Sequence, residues 1–448
     1  MGMTMTEKIL ARHSQRDRVQ PGEKIWVDVD VLLTHDVCGP PAYAIFRREF
    51  GDAARFWDRR KVVVVPDHYI FTRDVHAARN LRELRRMAQE QELPYFYDAF
   101  TPSYSGVCHV TLPEKGHVRP GSLILGTDSH TCTAGAFGAF AAGIGNTDAA
   151  FVMGTGKLWL RVPETIRVVL HGQAPPGVMA KDVILRLIGD LGGDGATYCA
   201  IEFTGEGVEA FSVDERMTLC NMAVEAGAKN GIIPVDEVTC NYLARRGVDS
   251  AEAVESDADA EFARTIEYDL GELMPYVAKP HSPANAVPVT ECEGTPLTRA
   301  YIGSCTGGKL ADFVVAAKLL KDQRVRIETC AVPATVDVSR SLHQVRVGGE
   351  TVAEILRSAG VKIGDPSCAA CLGGPPDTFG RLQGREVAIS TTNRNFPGRM
   401  GSAEARIYLA SPATVAASAV AGHIVDPRKF VDELAWEEVA SWVAHTAA

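Results

Sequence analysis

Residues 300–320 read AYIGSCTGGKLADFVVAAKLL. A short apolar run gives way at Gly303 to a loop of small and polar residues, and the loop gives way at Leu310 to a helical-looking stretch. The same order returns along the chain: KVVVV (61–65) runs into Pro66-Asp67-His68, SLIL (122–125) into GTDSHTCTAGAFG, and EVAI (386–389) into STTNRNFPGR. Repeated units of this kind are the signature of α/β architecture. In open α/β sheets ligands bind beyond the carboxyl ends of the strands, where the loops supply the chemistry. The expected fold class is therefore α/β, built of several strand-loop-helix units whose polar loops converge.

At 448 residues, 46% apolar and 23% charged, the chain is long enough for two or three domains with real cores. Forty-six basic against 56 acidic residues leave a net charge of −10, which offers no general attraction to nucleic acid or to an anionic membrane. An anionic ligand must meet a local basic site instead. The opening residues, MGMTMTEKILARHSQRD, lack the basic start, apolar stretch and cleavage site of a secretory signal, so a cytoplasmic protein is expected. The most apolar segment, AGAFGAFAAGIG (134–145), is too short for the roughly 20 residues that span a bilayer. Proline and small polar residues replace periodicity over 277–298, which reads as the linker between an N-terminal region (1–285) and a C-terminal α/β domain (286–425). A helical tail is expected over 426–448, centred on DELAWEEVASWVAH.

Eleven cysteines, an odd number scattered along the chain, make a disulfide framework improbable. Three of them stand on loops of the C-terminal domain: Cys305 in GSCTGGK, and Cys368 and Cys371 as a C-x-x-C in PSCAACLGG. A thiolate trio suits soft metals, and an iron-sulfur cluster held by only three cysteines leaves one iron with an open position that can act as a Lewis acid. The C-x-x-C alone also fits zinc, a redox pair or plain structure. A structural zinc usually wants a fourth Cys or His at short spacing. A redox pair wants the motif opening a helix of a thioredoxin-like unit. Neither alternative uses Cys305.

Other strand-following loops carry Asp67-His68, Asp128-Ser129-His130 and the arginines Arg394 and Arg399 of NRNFPGR; His109 and Glu225 stand in GVCHV and CNMAVEAGA. Histidine-carboxylate pairs handle protons, because the carboxylate raises the imidazole pKa and fixes its tautomer. Guanidinium groups bind carboxylates bidentately. Each has a plainer reading: a turn or helix cap for Asp-His, a core histidine for His109, a surface ion pair for either arginine. GTDSHTCTAGAFG lacks both the Lys-Ser/Thr ending of a P-loop and the dinucleotide glycine spacing.

Four segments in order, GTDSHTCTAGAFGAFAAGIGNTD (126–148), GSCTGGK (303–309), PSCAACLGG (366–374) and TTNRNFPGRMGS (391–402), resemble the aconitase family. They are most similar to the large subunits of its two-subunit branch: 3-isopropylmalate dehydratase, homoaconitase and 2,3-dimethylmalate dehydratase. The resemblance implies an aconitase-like fold, with two interleaved domains in the N-terminal region. It implies one [4Fe-4S] cluster on Cys305, Cys368 and Cys371, and a hydro-lyase acting on a small hydroxy-dicarboxylate, with 3-isopropylmalate the leading substrate. It also implies three acid-histidine pairs: Asp67 with His68 as proton donor to the leaving hydroxyl, Asp128 with His109, and Glu225 with His130. Ser129, Asn221, Arg394 and Arg399 would bind substrate or border the cluster, with Asn393 and Asn395 beside them.

The Ser-Arg motif of the family's swivelling domain, which supplies the base serine and a carboxylate-binding arginine, is absent from the sequence. A separate small subunit is therefore expected to supply it, and this chain alone should be nearly inactive. Three positions depart from the family pattern. Gly307 stands for an asparagine, Lys309 for an arginine, and Cys38 for a threonine or serine. A reading of another class is a cluster-free protein that binds RNA or a metabolite; the retained cysteines, the acid-histidine pairs and the lack of a basic bias argue against it.

Overall fold

In the computed structural model, which describes residues 2–431, the chain forms three largely parallel sheets. The first is built from runs that read as continuously apolar, as strands covered on both faces must. Val62, Val63 and Val64 are all buried, as are Leu32 and Leu33. Its five strands lie in the order Tyr95–Phe96, Val62–Val64, Val31–Thr34, Leu123–Gly126, Phe140–Gly143, every pairing parallel. Succession runs outward in one direction from Val31–Thr34 and in the other from Leu123–Gly126. The crevice between those two strands is thus a topological switch point, the expected place for a ligand. His35 and Asp36, Asp67 and His68, and Asp128 to His130 directly follow its strands.

The third sheet repeats the device. Its strands lie in the order Ala286–Pro288, Tyr276–Ala278, Arg406–Ala410, Val387–Ser390, Arg299–Ile302, Glu328–Ala331, Lys362–Ile363. Pairing is parallel from Arg406–Ala410 onward and antiparallel before it. Its switch point lies between Arg299–Ile302 and Val387–Ser390, so Cys305 and Asn393 follow the two central strands. The segment over 277–298, read from sequence as a linker, holds the hairpin Tyr276–Ala278 with Ala286–Pro288 and adds two strands to this sheet. Proline and small residues hide it, because hairpin strands of three residues have no periodicity to read.

A second, four-stranded parallel sheet lies between these in sequence: Asn230–Ile232, Ala200–Thr204, Thr165–His171, Arg264–Asp269. It bears the helix Val213–Met222, which Ser212 and Glu215 close at its start as a reciprocal capping box. The glycine-rich motif after Leu123–Gly126 does not pass straight into a helix. It forms a 3-10 helix Ser129–Phe137, turns at Gly138 (φ 71°), and lays down Phe140–Gly143 before the helix Asn146–Thr155 begins. Close backbone approach requires the small residues: a Cβ on Gly135 would sit 1.7 Å from the Gly231 carbonyl oxygen of the second sheet, and Ile233 N–H donates to the Gly135 carbonyl at 3.0 Å.

No helix among the described residues is long and apolar enough to cross a membrane. The helix expected in DELAWEEVASWVAH lies outside the described residues; the preceding segment ends in the 3-10 turn Pro427–Lys429.

Gly135→Ala is expected to cost about 2–3 kcal/mol of stability by overpacking backbone against backbone, read as a lowered urea midpoint at unchanged slope. An unchanged midpoint would mean that the first and second sheets do not meet as closely as this contact requires.

Candidate active site

The two switch points meet. Cys368 N–H donates to the Asp67 carbonyl at 2.7 Å, Cys108 N–H donates to Asp67 Oδ2 at 2.7 Å, and the Tyr104 hydroxyl donates to the Pro366 carbonyl. The segment leading to His109 is pinned to the third sheet's loops through Val107 N–H on the Ala334 carbonyl and Val336 N–H on the Ser105 carbonyl, both 2.7 Å. Residues far apart in sequence thereby line one cleft.

The carboxylate-imidazole pairs lie as follows. His68 Nδ1 is 2.6 Å from Asp67 Oδ1, His109 Nε2 is 2.9 Å from Asp128 Oδ1, and His130 Nε2 is 2.8 Å from Glu225 Oε1. Asp128 is a hub: it also accepts from His130 N–H at 2.8 Å, with the ring nitrogens His35 Nε2 and His68 Nε2 at 3.9 and 4.0 Å from its other oxygen. Glu225 is shared with Arg394, whose Nε donates to the same oxygen at 2.8 Å.

Electrostatics follow the geometry. Burial opposes a charge on His68, yet the Asp67 carboxylate, with Asp36 and Asp128 behind it, outweighs burial and raises the imidazole to about 10. Burial would lift Asp67, but His68 and then His35 hold it below the usual carboxylate range. Asp128 is held well below it by His109 and His130 against the same cost. His130 is raised, with Asp128 and Glu225 overcoming burial. Glu225 is lowered by His130 and Arg394. His35 goes the other way: burial and the charge of His68 depress it.

Sequence reasoning misses His35 and Asp36. Asp36 accepts the backbone N–H groups of Asp67, His68 and Tyr69 at 2.9, 3.0 and 2.6 Å and so shapes the turn that aims His68. The His35 ring packs against that of His68, tilted by 33°, with centroids 4.4 Å apart. The available signal is position, since THDVCG directly follows a strand as the other loops do.

Cys305, Cys368 and Cys371 are buried. Asn221 Nδ2 donates to Cys305 Sγ at 3.1 Å and to Thr133 Oγ1 at 2.8 Å; Asn393 Nδ2 approaches Cys305 Sγ at 3.4 Å, and the Cys371 thiol reaches Asn393 Oδ1 at 3.4 Å. Arg399 Nη2 is 4.0 Å from Cys371 Sγ. The Cys371 thiol is drawn down by a hydrogen bond from Cys368 and, against burial, by Arg399, His130 and His68. Burial and the Cys371 charge push Cys305 up to about 12. Asn395 does not border this cleft: its Nδ2 is spent on the Ala278, Lys279 and Ile407 carbonyls, holding strands together. Ser129 is exposed and faces a neighbouring cleft of about 650 Å³ bounded by Gly143, Trp159 and Tyr198.

The donor set fits a polynuclear anionic group. Among the described residues, His35 Nε2, His109 Nδ1, Tyr301 Oη and Arg399 Nε are buried without a hydrogen-bond partner. Two of these, Tyr301 and Arg399, lie within electrostatic reach of Cys368 and Cys371, and buried orphaned groups ask for an acceptor or ligand. The residue sets with ligand atoms all within 4.8 Å of one another, as a single ion needs, are His35/Asp36/Asp67/His68 and His109/Asp128/His130. The cysteine trio is not such a set, since its three sulfurs do not all lie within that distance of one another. Cys371 lies within the 3-10 turn Ala370–Leu372, so the C-x-x-C does not open an α-helix as a redox pair would.

Residues 7–298 and 290–422 match the aconitase family (aconitate hydratase). The chain is 54% identical over 443 residues to the chloroplastic 3-isopropylmalate dehydratase large subunit of Arabidopsis thaliana, covering 96% of this chain and 87% of that one. It is 48% identical over 433 residues to 3-isopropylmalate dehydratase large subunit 1 of Methanopyrus kandleri, covering 96% and 100%. Among solved structures, holo aconitase X of Thermococcus kodakaraensis aligns with a TM-score of 0.48 at 14% identity, over 85% of this chain and 89% of that one.

The raised His68 contributes stability in full below its unfolded value, roughly 6.5, and loses it as pH rises through about 10. Asp67→Asn should remove that support. In histidine NMR titrations the wild-type imidazole keeps its proton through neutral pH, whereas the variant releases it well below the wild-type value. Identical titrations would show that Asp67 is not the group holding the proton.

Proposed function

The chain belongs to the aconitase family, and from that premise we propose that it is the cluster-bearing large subunit of a hydro-lyase that removes and re-adds water on a substituted malate, 3-isopropylmalate first among them. The observation that carries this reading is a single cleft holding three thiols from two loops beside three carboxylate-imidazole pairs and two arginines.

Cys305, Cys368 and Cys371 would hold one [4Fe-4S] cluster, and an iron with an open position supplies Lewis-acid polarisation of the substrate hydroxyl when bound. The remaining steps belong to side chains. Asp67 holds His68 by Nδ1 and keeps the ring protonated, so the proton on Nε2 goes to the departing hydroxyl. Asp128, ionised and bonded to His109 and to His130, keeps the neighbouring imidazoles oriented. Arg394 meets Glu225 through Nε, which leaves its terminal nitrogens for a substrate carboxylate, and Arg399 adds positive charge beside Cys371.

The relatives are large subunits, and this chain pairs with a small one. We assign to the small subunit's swivelling domain the serine that abstracts the proton and an arginine for the second carboxylate. The cytoplasm is the compartment proposed: all eleven cysteines are free, as in a reducing environment.

The test is anaerobic co-purification with the small subunit, iron and sulfide analysis, and hydration assays on a panel of alkyl-maleates. Four irons per chain and turnover only with both subunits are expected; Cys305→Ser should lose the chromophore and essentially all turnover. Zinc, or no metal after anaerobic reconstitution, together with no turnover on any substrate, would retire the hydro-lyase reading in favour of a binding protein.

A further inference from the structure

Lys181 has no part in the chemistry above, yet it is 2% exposed and lies directly behind the cleft. It stands in the first turn of the helix Ala180–Leu191, whose next residue, Asp182, is also buried but turns its carboxylate to Met179 N–H and Tyr276 N–H, both at 2.9 Å. The Lys181 ammonium instead reaches across to the third sheet. It donates to the Thr392 carbonyl at 2.7 Å, to the Thr391 carbonyl, and to Thr306 Oγ1 at 3.3 Å. Thr306 follows Cys305, and Thr391 and Thr392 lead into Asn393. One ammonium therefore ties together the two loops of the third sheet's switch point, and Thr306 Oγ1 closes the triangle by donating to the Thr391 carbonyl at 2.8 Å.

All three acceptors are neutral. Among the described residues no carboxylate pairs with Lys181, whereas the other buried lysine here, Lys309, has Asp312 at 3.1 Å as well as the Cys305 carbonyl and Thr218 Oγ1. A buried cation without an anion is costly, and proteins supply a counter-charge or lose the charge. Burial and the neighbouring charge of Lys309 pull the Lys181 ammonium down to about 7, and the groups that oppose this and favour its charge are Asp312 and the sulfurs of Cys305 and Cys371. A cluster held by three thiolates is a net anion in its resting state, so the missing partner is the cluster itself.

We propose that Lys181 is a positioning residue for the cluster: its ammonium holds the Cys305 and Asn393 loops in one register and supplies the buried positive charge that balances the thiolate-ligated cluster. The inference rests on the cluster reading given above. Its consequences are electrostatic as well as structural. Removing positive charge near a cluster favours the more oxidised state and lowers the reduction potential, since local charge and hydrogen bonding to the sulfurs set that potential.

The experiment uses the two-subunit protein, purified anaerobically as wild type, Lys181→Gln and Lys181→Met, with thermal melting as the check on folding. Glutamine keeps a donor toward the threonine carbonyls without the charge; methionine keeps neither. Both variants are expected to bind a cluster whose midpoint potential, by EPR-monitored titration, is more negative than wild type, and to lose iron in air several-fold faster. Should Lys181→Met fail to fold, Lys181→Gln carries the measurement. A folded Lys181→Gln protein with wild-type potential and wild-type iron retention overturns the counter-charge role. A wild type that takes up no iron or sulfide overturns this inference together with the cluster reading beneath it, which separates the two failures.

Discussion

A backbone hydrogen bond of 2.7 Å, from Cys368 N–H to the Asp67 carbonyl, joins the loop that carries Asp67 and His68 to the loop that carries two of the three thiols. Each loop follows a strand of a different parallel sheet, and neither sheet alone could build the cleft. The first supplies carboxylates and imidazoles, the third supplies sulfur and guanidinium, and the chemistry needs both within a few ångströms. The second sheet completes the enclosure through Asn221 and Glu225, set at the end of the helix Val213–Met222 and in the 3-10 turn Ala223–Ala226. Preorganisation of this kind is what makes fixed charges effective at a reacting centre, because no reorganisation remains to be done when charge moves.

Charge in the cleft is ordered against the average of the chain. A protein with a net charge of −10 gathers His68, His130, Arg394, Arg399, Lys181 and Lys309 around one volume. Four of these six cations are matched by carboxylates: Asp67 for His68, Asp128 and Glu225 for His130, Glu225 for Arg394, and Asp312 for Lys309. Pairing keeps the charges ionised in a medium that would otherwise neutralise them. What the pairing leaves over is positive, the sign a dicarboxylate and a thiolate-ligated group both require.

Much of this arrangement is legible in the amino-acid sequence, because the fold puts its chemistry at one kind of place. A residue in a loop after a β-branched run is at the carboxyl end of a strand, and Asp67, His68, Asp128, His130, Cys305 and Arg394 can all be found by that rule. His109 and Glu225 cannot, since they lie in helical turns, and only the family resemblance singles them out. His35 obeys the rule yet goes unnoticed, because in THDVCG only Cys38 is singled out and the partner of His35, His68, comes from a different strand. Lys181 is illegible: a lysine in the first turn of an amphipathic helix is ordinarily a solvated one, and only tertiary contact with Thr391 and Thr392 shows it is buried. Asn395, which stands next to Arg394 in NRNFPGR, illustrates the converse: its amide is spent on the backbone carbonyls of two strands, a contact that the sequence does not reveal.

The three departures from the family pattern separate by the same geometry. Lys309, in place of a forked arginine, directs its single ammonium to Thr218, Asp312 and the Cys305 carbonyl, all behind the cluster loop, so bidentate recognition is not what that position provides. Gly307 packs against Thr391, whose side chain fills the space a Cβ would take. Both exchanges sit in the wall that supports the thiols. Cys38 is different: half-buried at the start of the helix Gly39–Phe50, its thiol is pushed up to about 11 by burial and by the charges of Asp128 and Asp36. It is therefore a neutral, soft group where a hydroxyl is usual. A neutral thiol is a poorer hydrogen-bond partner than a hydroxyl. The exchange thus lowers hydrogen-bonding capacity beside Asp36 and Asp128 while leaving every acid-imidazole pair intact.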